Sequence, residues 1–240
     1  MSLYLELLKK ILVNSIYEDV SIHPGHDGST HYNHLRATGD DWPRQAHTMI
    51  GRKRLDNLHY CLRTITSDMI PGHIIETGVF RGGTCIFVAG FLKQLESDRL
   101  VYVADSFAGF PGGREEDKGD QCLTQNHYFS VSRKQVEDNF KKYDLLTPNV
   151  VFLEGWFSDT LPTLNGPFAI LRLDGDMYSS TMDALVNLYP KLNSGGFCIV
   201  DDYKSHPSCK RAVDEYRSAN GITGPIIEID NQGIFWRETR

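Results

Sequence analysis

His73-Ile74-Ile75-Glu76-Thr77-Gly78-Val79-Phe80-Arg81-Gly82-Gly83-Thr84 runs from a short apolar stretch through an acidic residue into a glycine-rich turn, and a helical apolar pattern follows as far as Leu95. A brief β-branched run without polar alternation is the pattern of a strand buried on both faces. Strand, turn and helix in that order make one α/β unit, and the unit recurs. Further apolar runs at 100–104, 150–153, 168–173 and 196–200 alternate with helical segments at 82–95, 132–142, 181–192 and 208–219. Such alternation predicts a parallel sheet with helices on both faces. Two last runs, 226–229 and 233–236, are joined by Asp230-Asn231-Gln232 and predict a closing hairpin. The expected fold is therefore α/β, a doubly wound sheet of seven strands, mostly parallel, with an antiparallel pair at the end.

Upstream of this region the texture changes. Leu3, Leu7, Leu8, Ile11 and Leu12 recur at helical spacing, so residues 3–16 read as a short amphipathic helix. Residues 17–45 are crowded with His, Gly, Asp, Asn and Pro and hold few aliphatics, the composition of a long surface loop or lid that builds no core alone. A second helix is expected from about 48 to 65, with Leu55, Leu58, Leu62 and Ile65 as its apolar stripe. Residues 109–120, rich in Gly, Pro and charge, suggest another loop beside a site.

Length and composition bound the function. At 240 residues with 40% hydrophobic and 23% charged residues the chain suits one domain with elaborations. The expected division is an N-terminal helix and lid over 1–50, then the sheet domain over 51–240. A formal charge of -6 argues against a nucleic-acid binder that neutralises phosphates. No apolar run nears the ~20 residues that span a bilayer, and five scattered cysteines without a C-x-x-C spacing suggest neither disulfides nor zinc. A cytoplasmic protein without membrane or nucleic-acid partner is expected.

Ligands of open α/β sheets bind beyond the carboxyl ends of the strands. Glu76-Thr77-Gly78 ends the first strand, and the glycines after it let a backbone approach a ligand and lead into a helix N-terminus that favours anions. The turn is neither a G-x-G-x-x-G fingerprint nor a P-loop, and by itself reads equally as a tight connection. Asp105, followed by Ser106, ends the second strand, where a carboxylate accepts from two ribose hydroxyls; alone it serves as well as a helix cap. Gly155-Trp156-Phe157 after the third strand offers aromatic surface for an adenine, or ordinary core. Asp174 and Asp176 end the fourth strand and Asp201 and Asp202 the fifth. Four carboxylates converging there would repel one another without a cation, and oxygen-only ligands suit Mg²⁺, Mn²⁺ or Ca²⁺. His23, His26, His31, His34 and His47 fall at or near the lid-like segment without zinc-binding spacing; they read as solvated loop residues, with substrate contact and metal ligation as alternatives. No G-x-S-x-G occurs, which disfavours serine-hydrolase chemistry.

With these residues in place, the chain resembles the macrocin O-methyltransferase family of S-adenosylmethionine-dependent sugar methyltransferases in antibiotic pathways. The resemblance covers residues 48–237 and rests on Thr-Met-Ile-Gly-x-Lys-Arg-Leu-Asp-Asn-Leu from Thr48, Ile-Glu-Thr-Gly-Val-x-Arg-Gly-Gly from Ile75, and Ala-Asp-Ser-Phe from Ala104. Further matches are Gly-Trp-Phe-x-Asp-Thr-Leu-Pro from Gly155, Leu-Arg-Leu-Asp-Gly-Asp-x-Tyr from Leu171 and Gly-Gly-x-x-Ile-Val-Asp-Asp-Tyr from Gly195. It implies a class I methyltransferase fold with an N-terminal helical lid, usually as a homodimer, acting on a glycosylated small-molecule acceptor. Met49, Ile50, Glu76, Thr77, Gly78, Arg81, Thr84, Asp105, Ser106, Gly155, Trp156, Phe157 and Asp174 match its cofactor-binding positions. Of these, Glu76 to Gly78 would flank the methionine part, Asp105 and Ser106 the ribose and Gly155 to Phe157 the adenine. Asp174, Asp201 and Asp202 match its divalent-metal ligands, with Mg²⁺ or Mn²⁺ expected, and Asp176 matches its general base. Beside a sugar hydroxyl as acceptor stand a catechol or other vicinal diol, a non-catalytic nucleoside-binding module and a nicotinamide-dependent oxidoreductase.

Overall fold

Along residues 197–200 successive side chains enter opposite core layers, Phe197 and Ile199 on one side and Cys198 and Val200 on the other, as the two-residue period of a strand requires. The computed structural model describes residues 2–28, 33–112 and 114–239; His31 lies outside them. Helices α1 (Leu3–Leu12), α2 (Asn33–Thr38) and α3 (Gly51–Ser67) precede β1 (His73–Thr77). The order continues α4 (Gly83–Gln94), β2 (Val101–Asp105), α5 (Gln121–Thr124), α6 (Arg133–Lys141), β3 (Val150–Glu154), α7 (Phe157–Thr160), β4 (Phe168–Leu173) and α8 (Tyr178–Leu188). It closes with β5 (Leu192–Val200), α9 (Pro207–Ala219), β6 (Ile227–Glu228) and β7 (Ile234–Arg237).

The strands form one sheet in the order β3-β2-β1-β4-β5-β7-β6. β1 to β5 pair in parallel, and β7 runs antiparallel to both β5 and β6. Strand order reverses between β1 and β4, the switch point at which doubly wound sheets leave a crevice. One apolar layer joins α1, α3, α4 and α6 to the sheet and the other joins α8 and α9. No described helix is long and apolar enough to cross a membrane. All five cysteines are free.

The sequence expectations hold for element order and shift at several ends. α1 stops at Leu12 and α3 starts at Gly51. α8 begins at Tyr178, three residues early, because Asp117 from the distant 109–120 loop accepts from the Ser179 N–H at 3.0 Å and from its hydroxyl. A cap supplied across 62 residues leaves no local signature.

The described residues of this range, 17–28 and 33–45, differ more from the surface loop expected of residues 17–45. Arg36 and Asp41 are buried and paired, Nη2 to Oδ2 at 2.5 Å, and Arg36 also donates to the carbonyls of Val13 and Asp19. Asp19 Oδ2 accepts from the N–H groups of Gln45 and Ala46, both at 2.7 Å. Residues 20–22 and 42–44 run antiparallel through Ile22 N–H to the Trp42 carbonyl and Arg44 N–H to the Val20 carbonyl. A segment poor in aliphatics is thus organised by an internal ion pair and hydrogen bonds, which hydrophobic periodicity does not register.

The seam between α1 and α3 carries a second buried charge. The Lys9 ammonium donates to His59 Nδ1 at 2.8 Å, Asp56 at 2.7 Å and Glu6 at 3.1 Å. Burial, with Lys9 beside it, pulls the His59 imidazole from 6.5 down to about 4. The unfolded chain therefore binds a proton that the folded chain refuses between pH 6.5 and about 4, so His59 weakens the fold as pH falls through that window. His59→Asn keeps an acceptor for Lys9 and removes the titration. Between pH 7 and 5 its melting temperature should fall less than that of the parent protein, and parallel pH profiles would assign the acid sensitivity elsewhere.

Candidate active site

At the strand tips each chain end steps onto its neighbour: Gly78 N–H donates to the Ala104 carbonyl, Asp174 N–H to Thr77, Asp201 N–H to Leu173 and Gly155 N–H to Asp105. Gly78 has φ 85° and faces the Asp174 carbonyl so closely that a Cβ would overlap it. Only glycine permits this approach of β1 to β4. Above the tips lies a cavity of about 520 Å³, within the range of small-molecule sites.

Most of the residues singled out from sequence line it: Met49, Ile50, Glu76, Gly78, Thr84, Asp105, Ser106, Gly155, Trp156, Phe157, Asp174, Asp176, Asp201 and Asp202. Thr77 and Arg81 do not. Thr77 is buried in β1. Arg81 instead grips the segment before α3, donating to the carbonyls of Ala46 at 2.9 Å and Pro43 at 3.3 Å while covering the rings of Phe80 and Tyr128. Of the histidines in that segment His23 lines the cavity, whereas His47 is hydrogen-bonded to the Tyr143 hydroxyl at 2.6 Å.

The carboxylates converge. One oxygen from each of Asp174, Asp201 and Asp202 lies within 4.8 Å of the others, and Asp176, Asp202 and His206 form an adjoining set on the same criterion. Asp176 adopts a left-handed backbone, φ 55°, that sets its N–H on Asp202 Oδ2 at 3.2 Å. Burial and mutual repulsion, chiefly from Asp174 at Asp176 and from Asp176 at Asp202, push both carboxyls well above the usual carboxylate range. Burial and Asp201 raise Asp174 to about 6 against the pull of Arg172. Asp174 and Asp176 keep 23% and 20% of their side-chain surface open, and water there moderates the rise. These oxygen donors, crowded and short of positive charge, fit a hard divalent cation.

Beneath them is a feature that sequence reasoning missed. Arg172 on β4 is 2% exposed and pairs across the sheet with Glu76 on β1, its direct register partner. Its Nη1 donates to Glu76 at 2.5 Å and Asp174 at 2.7 Å, and its Nη2 to Asp201. Arg54 of α3 reaches the other oxygen of Asp201 and faces Asp230 at 3.2 Å. Burial nevertheless carries Glu76 up to about 7, although Arg172 and the Cys85 thiol, 2.7 Å away, both stabilise its charge. A lone arginine inside the apolar run Phe-Ala-Ile-Leu-Arg-Leu was the available signal, since a buried guanidinium must find carboxylates.

Asp105 accepts from the backbone N–H groups of Val79 and Phe107, both at 2.8 Å, so it braces the first turn as well as facing the cavity. Its carboxyl is raised by burial, which those donors partly offset. His23, Trp42, Phe110 and Phe129, drawn from the segment before α3 and the connection after β2, also line the cavity. Trp42 contacts His23 and Phe129 edge-on at 5.0 and 5.2 Å between centroids.

The sheet order with its reversed last strand and the polar cavity at the switch point define a class I methyltransferase fold. The family model for macrocin O-methyltransferase (TylF) matches residues 1–238, extending the likeness through the segment before residue 48. The chain is 47% identical to demethyldecarbamoylnovobiocin O-methyltransferase of Streptomyces niveus, over 100% of this chain and 94% of that protein. It is 46% identical to mycinamicin III 3''-O-methyltransferase of Micromonospora griseorubida, over 99% and 96%. The solved structure of the O-methyltransferase NovP superposes with a TM-score of 0.93 at 47% identity, over 99% of both chains. The chain belongs to the macrocin O-methyltransferase family and is an S-adenosylmethionine-dependent O-methyltransferase, which removes the oxidoreductase and the non-catalytic module from consideration.

Removing the cation from a buried cluster costs more than the pair contributes, because the remaining charges stay desolvated. Arg172→Met should destabilise the fold by roughly 3–5 kcal/mol in urea unfolding. Adding Glu76→Gln should recover part of the loss; a double variant no more stable than the single would show that Glu76 is not the charge left stranded.

Proposed function

We propose that this enzyme transfers the methyl group of S-adenosylmethionine to a sugar hydroxyl on a small glycosylated acceptor, with a divalent cation, Mg²⁺ or Mn²⁺, held by Asp174, Asp201 and Asp202. The observation that carries the reading is the convergence of these carboxylates and Asp176 in the same cavity as the Glu76–Gly78 turn and Asp105. The acceptors in the relatives' names support it: demethyldecarbamoylnovobiocin, mycinamicin III and a rhamnosyl tetracenomycin C methylated at its 4'-oxygen.

Methyl transfer from a sulfonium is an in-line displacement. The acceptor oxygen forms a bond to the methyl carbon as the carbon–sulfur bond breaks, and the electron pair leaves on a neutral thioether. A good leaving group leaves the protein two tasks, deprotonating a weak nucleophile and aligning it. A bound divalent cation would supply acidification and orientation of neighbouring hydroxyls. Glu76, Gly78 and Asp105 flank the donor: Gly78 lets the tip of β1 close against Asp174 of β4, and Asp105 offers a carboxylate to ribose hydroxyls. Trp156, 39% exposed on the cavity wall beside Gly155, offers a flat face to the adenine. Asp176 stands next to the cation ligands with its oxygens open to the cavity and accepts the proton of the attacking hydroxyl. Beside a bound cation a carboxylate is a weak base, so the cation would supply most of the acidification and Asp176 would serve chiefly as a positioned acceptor. Trp42, Phe110 and Phe129 add aromatic surface to the cavity lining.

Asp176→Asn should bind S-adenosylmethionine in calorimetric titration as the parent does and lose about 10²-fold or more in turnover; parent-like rates would take Asp176 out of the mechanism. Chelation should abolish methyl transfer and Mg²⁺ restore it, and full activity in excess chelator would remove the cation. Labelled S-adenosylmethionine offered with a panel of glycosides and catechols should label the glycosides, whereas label confined to catechols would replace the sugar with a simple vicinal diol.

A further inference from the structure

One guanidinium connects three parts of the molecule that are far apart in sequence. Arg54, at 5% exposure, donates through Nη2 to the carbonyls of Thr38 at 3.1 Å and Gly39 at 3.4 Å, and through Nη1 to Asp201 Oδ2. Its Nε lies 3.2 Å from Asp230 Oδ2 near the β6–β7 turn, yet both atoms are buried without a hydrogen bond. The same turn holds residues 39–40 by a second route, since Gln232 Nε2 donates to Asp40 Oδ1 at 2.6 Å and Asn231 Nδ2 to the same atom at 2.9 Å. Gly39 fits against this hub so closely that a Cβ would overlap Arg54 Nη2 and stand 2.7 Å from the Ile50 carbonyl oxygen.

We propose that Arg54 is a positioning residue that couples the seating of residues 36–41 to cation binding at Asp201. This rests on the reading of Asp174, Asp201 and Asp202 as cation ligands. The physical basis is competition for lone pairs. A carboxylate offers about four acceptor sites, and Asp201 already gives one oxygen to Arg172 and the other to Arg54. With the Thr38–Gly39 turn seated, Nη2 is occupied by two carbonyls and only Nη1 remains for Asp201. With the turn displaced, the planar fork is free to close on Asp201 through two nitrogens, the geometry arginine favours with carboxylates, which leaves about one acceptor site and weakens the hold on the cation. Seating the segment therefore withholds the competitor and opens the site, and a bound cation by linkage favours the seated segment to the same degree. The part of the cavity wall given by Gly39, Asp40 and Trp42 is thereby complete when the cation is present.

Mn²⁺ alone serves as the probe, read by calorimetric titration and by amide hydrogen exchange in the intact chain. In the parent protein Mn²⁺ should slow exchange at residues 38–41; unchanged exchange with Mn²⁺ bound would overturn the coupling. Gly39→Ala, which touches no carboxylate ligand, should weaken Mn²⁺ binding about five-fold or more. Gly39→Ala combined with Arg54→Met should restore parent-like affinity, because the competing fork is gone. Arg54→Met alone should bind Mn²⁺ at least as tightly as the parent while residues 38–41 no longer respond to it. A merely structural Arg54 would make the double variant worse than either single one, and that result, or parent-like affinity in Gly39→Ala, would overturn the proposal. Failure of the parent protein to bind Mn²⁺ at all would overturn the cation reading beneath it.

Discussion

The structure turns on a guanidinium inside the sheet. Arg172 lies on the inner strand β4, flanked by β1 and β5, and its nitrogens meet Glu76, Asp174 and Asp201. Charges so deeply buried persist only when mutually compensated. Carboxylates at the ends of three strands can therefore be close because Arg172 stands beneath all three and Arg54 adds a second positive charge at Asp201, and the tips of β1, β4 and β5 are held in the relative position that the cavity needs. Compensation is incomplete by design of the geometry: Asp176 and Asp202 have no guanidinium among their described hydrogen-bond partners and retain raised proton affinities. The surplus negative charge faces the cavity, where the proposed cation and the acceptor proton would meet it.

The segment before the sheet obeys the same rule at smaller scale. Few aliphatic side chains are available there, so arginines do the work of a core. Arg36 ties residues 13, 19 and 41 together, Arg81 holds the carbonyls of Pro43 and Ala46, and Arg54 holds those of Thr38 and Gly39. Such contacts saturate backbone carbonyls that would otherwise be buried unpaired. Trp42 of that segment meets Phe129 of the connection after β2, so one wall of the cavity comes from residues 87 positions apart.

The α/β character, the seven strands and their order along the chain were legible in the alternation of apolar runs with helical segments, because burial on both faces leaves a continuous apolar signature. The acidic residues at the strand tips were legible for the same reason: each interrupts an apolar run where the strand ends. The cap on α8 was not, since Asp117 acts from another part of the chain. Arg172 and Arg54 stood inside recognisable motifs but carried no local indication of which carboxylates they would meet.

By itself the sequence determined the periodicity of each element, the glycine at position 78 that allows two strands to touch, and the supply of carboxylates at the strand ends. Those are local properties, set by side-chain size, backbone freedom and spacing. Only the tertiary structure decided that Glu76, Asp174 and Asp201 share one guanidinium, that Arg81 grips the segment before α3 instead of lining the cavity, and that Arg54 spans residues 38, 201 and 230. Each of those outcomes depends on distances between charges remote in the chain, and electrostatic energy in a desolvated interior is a function of separation in space.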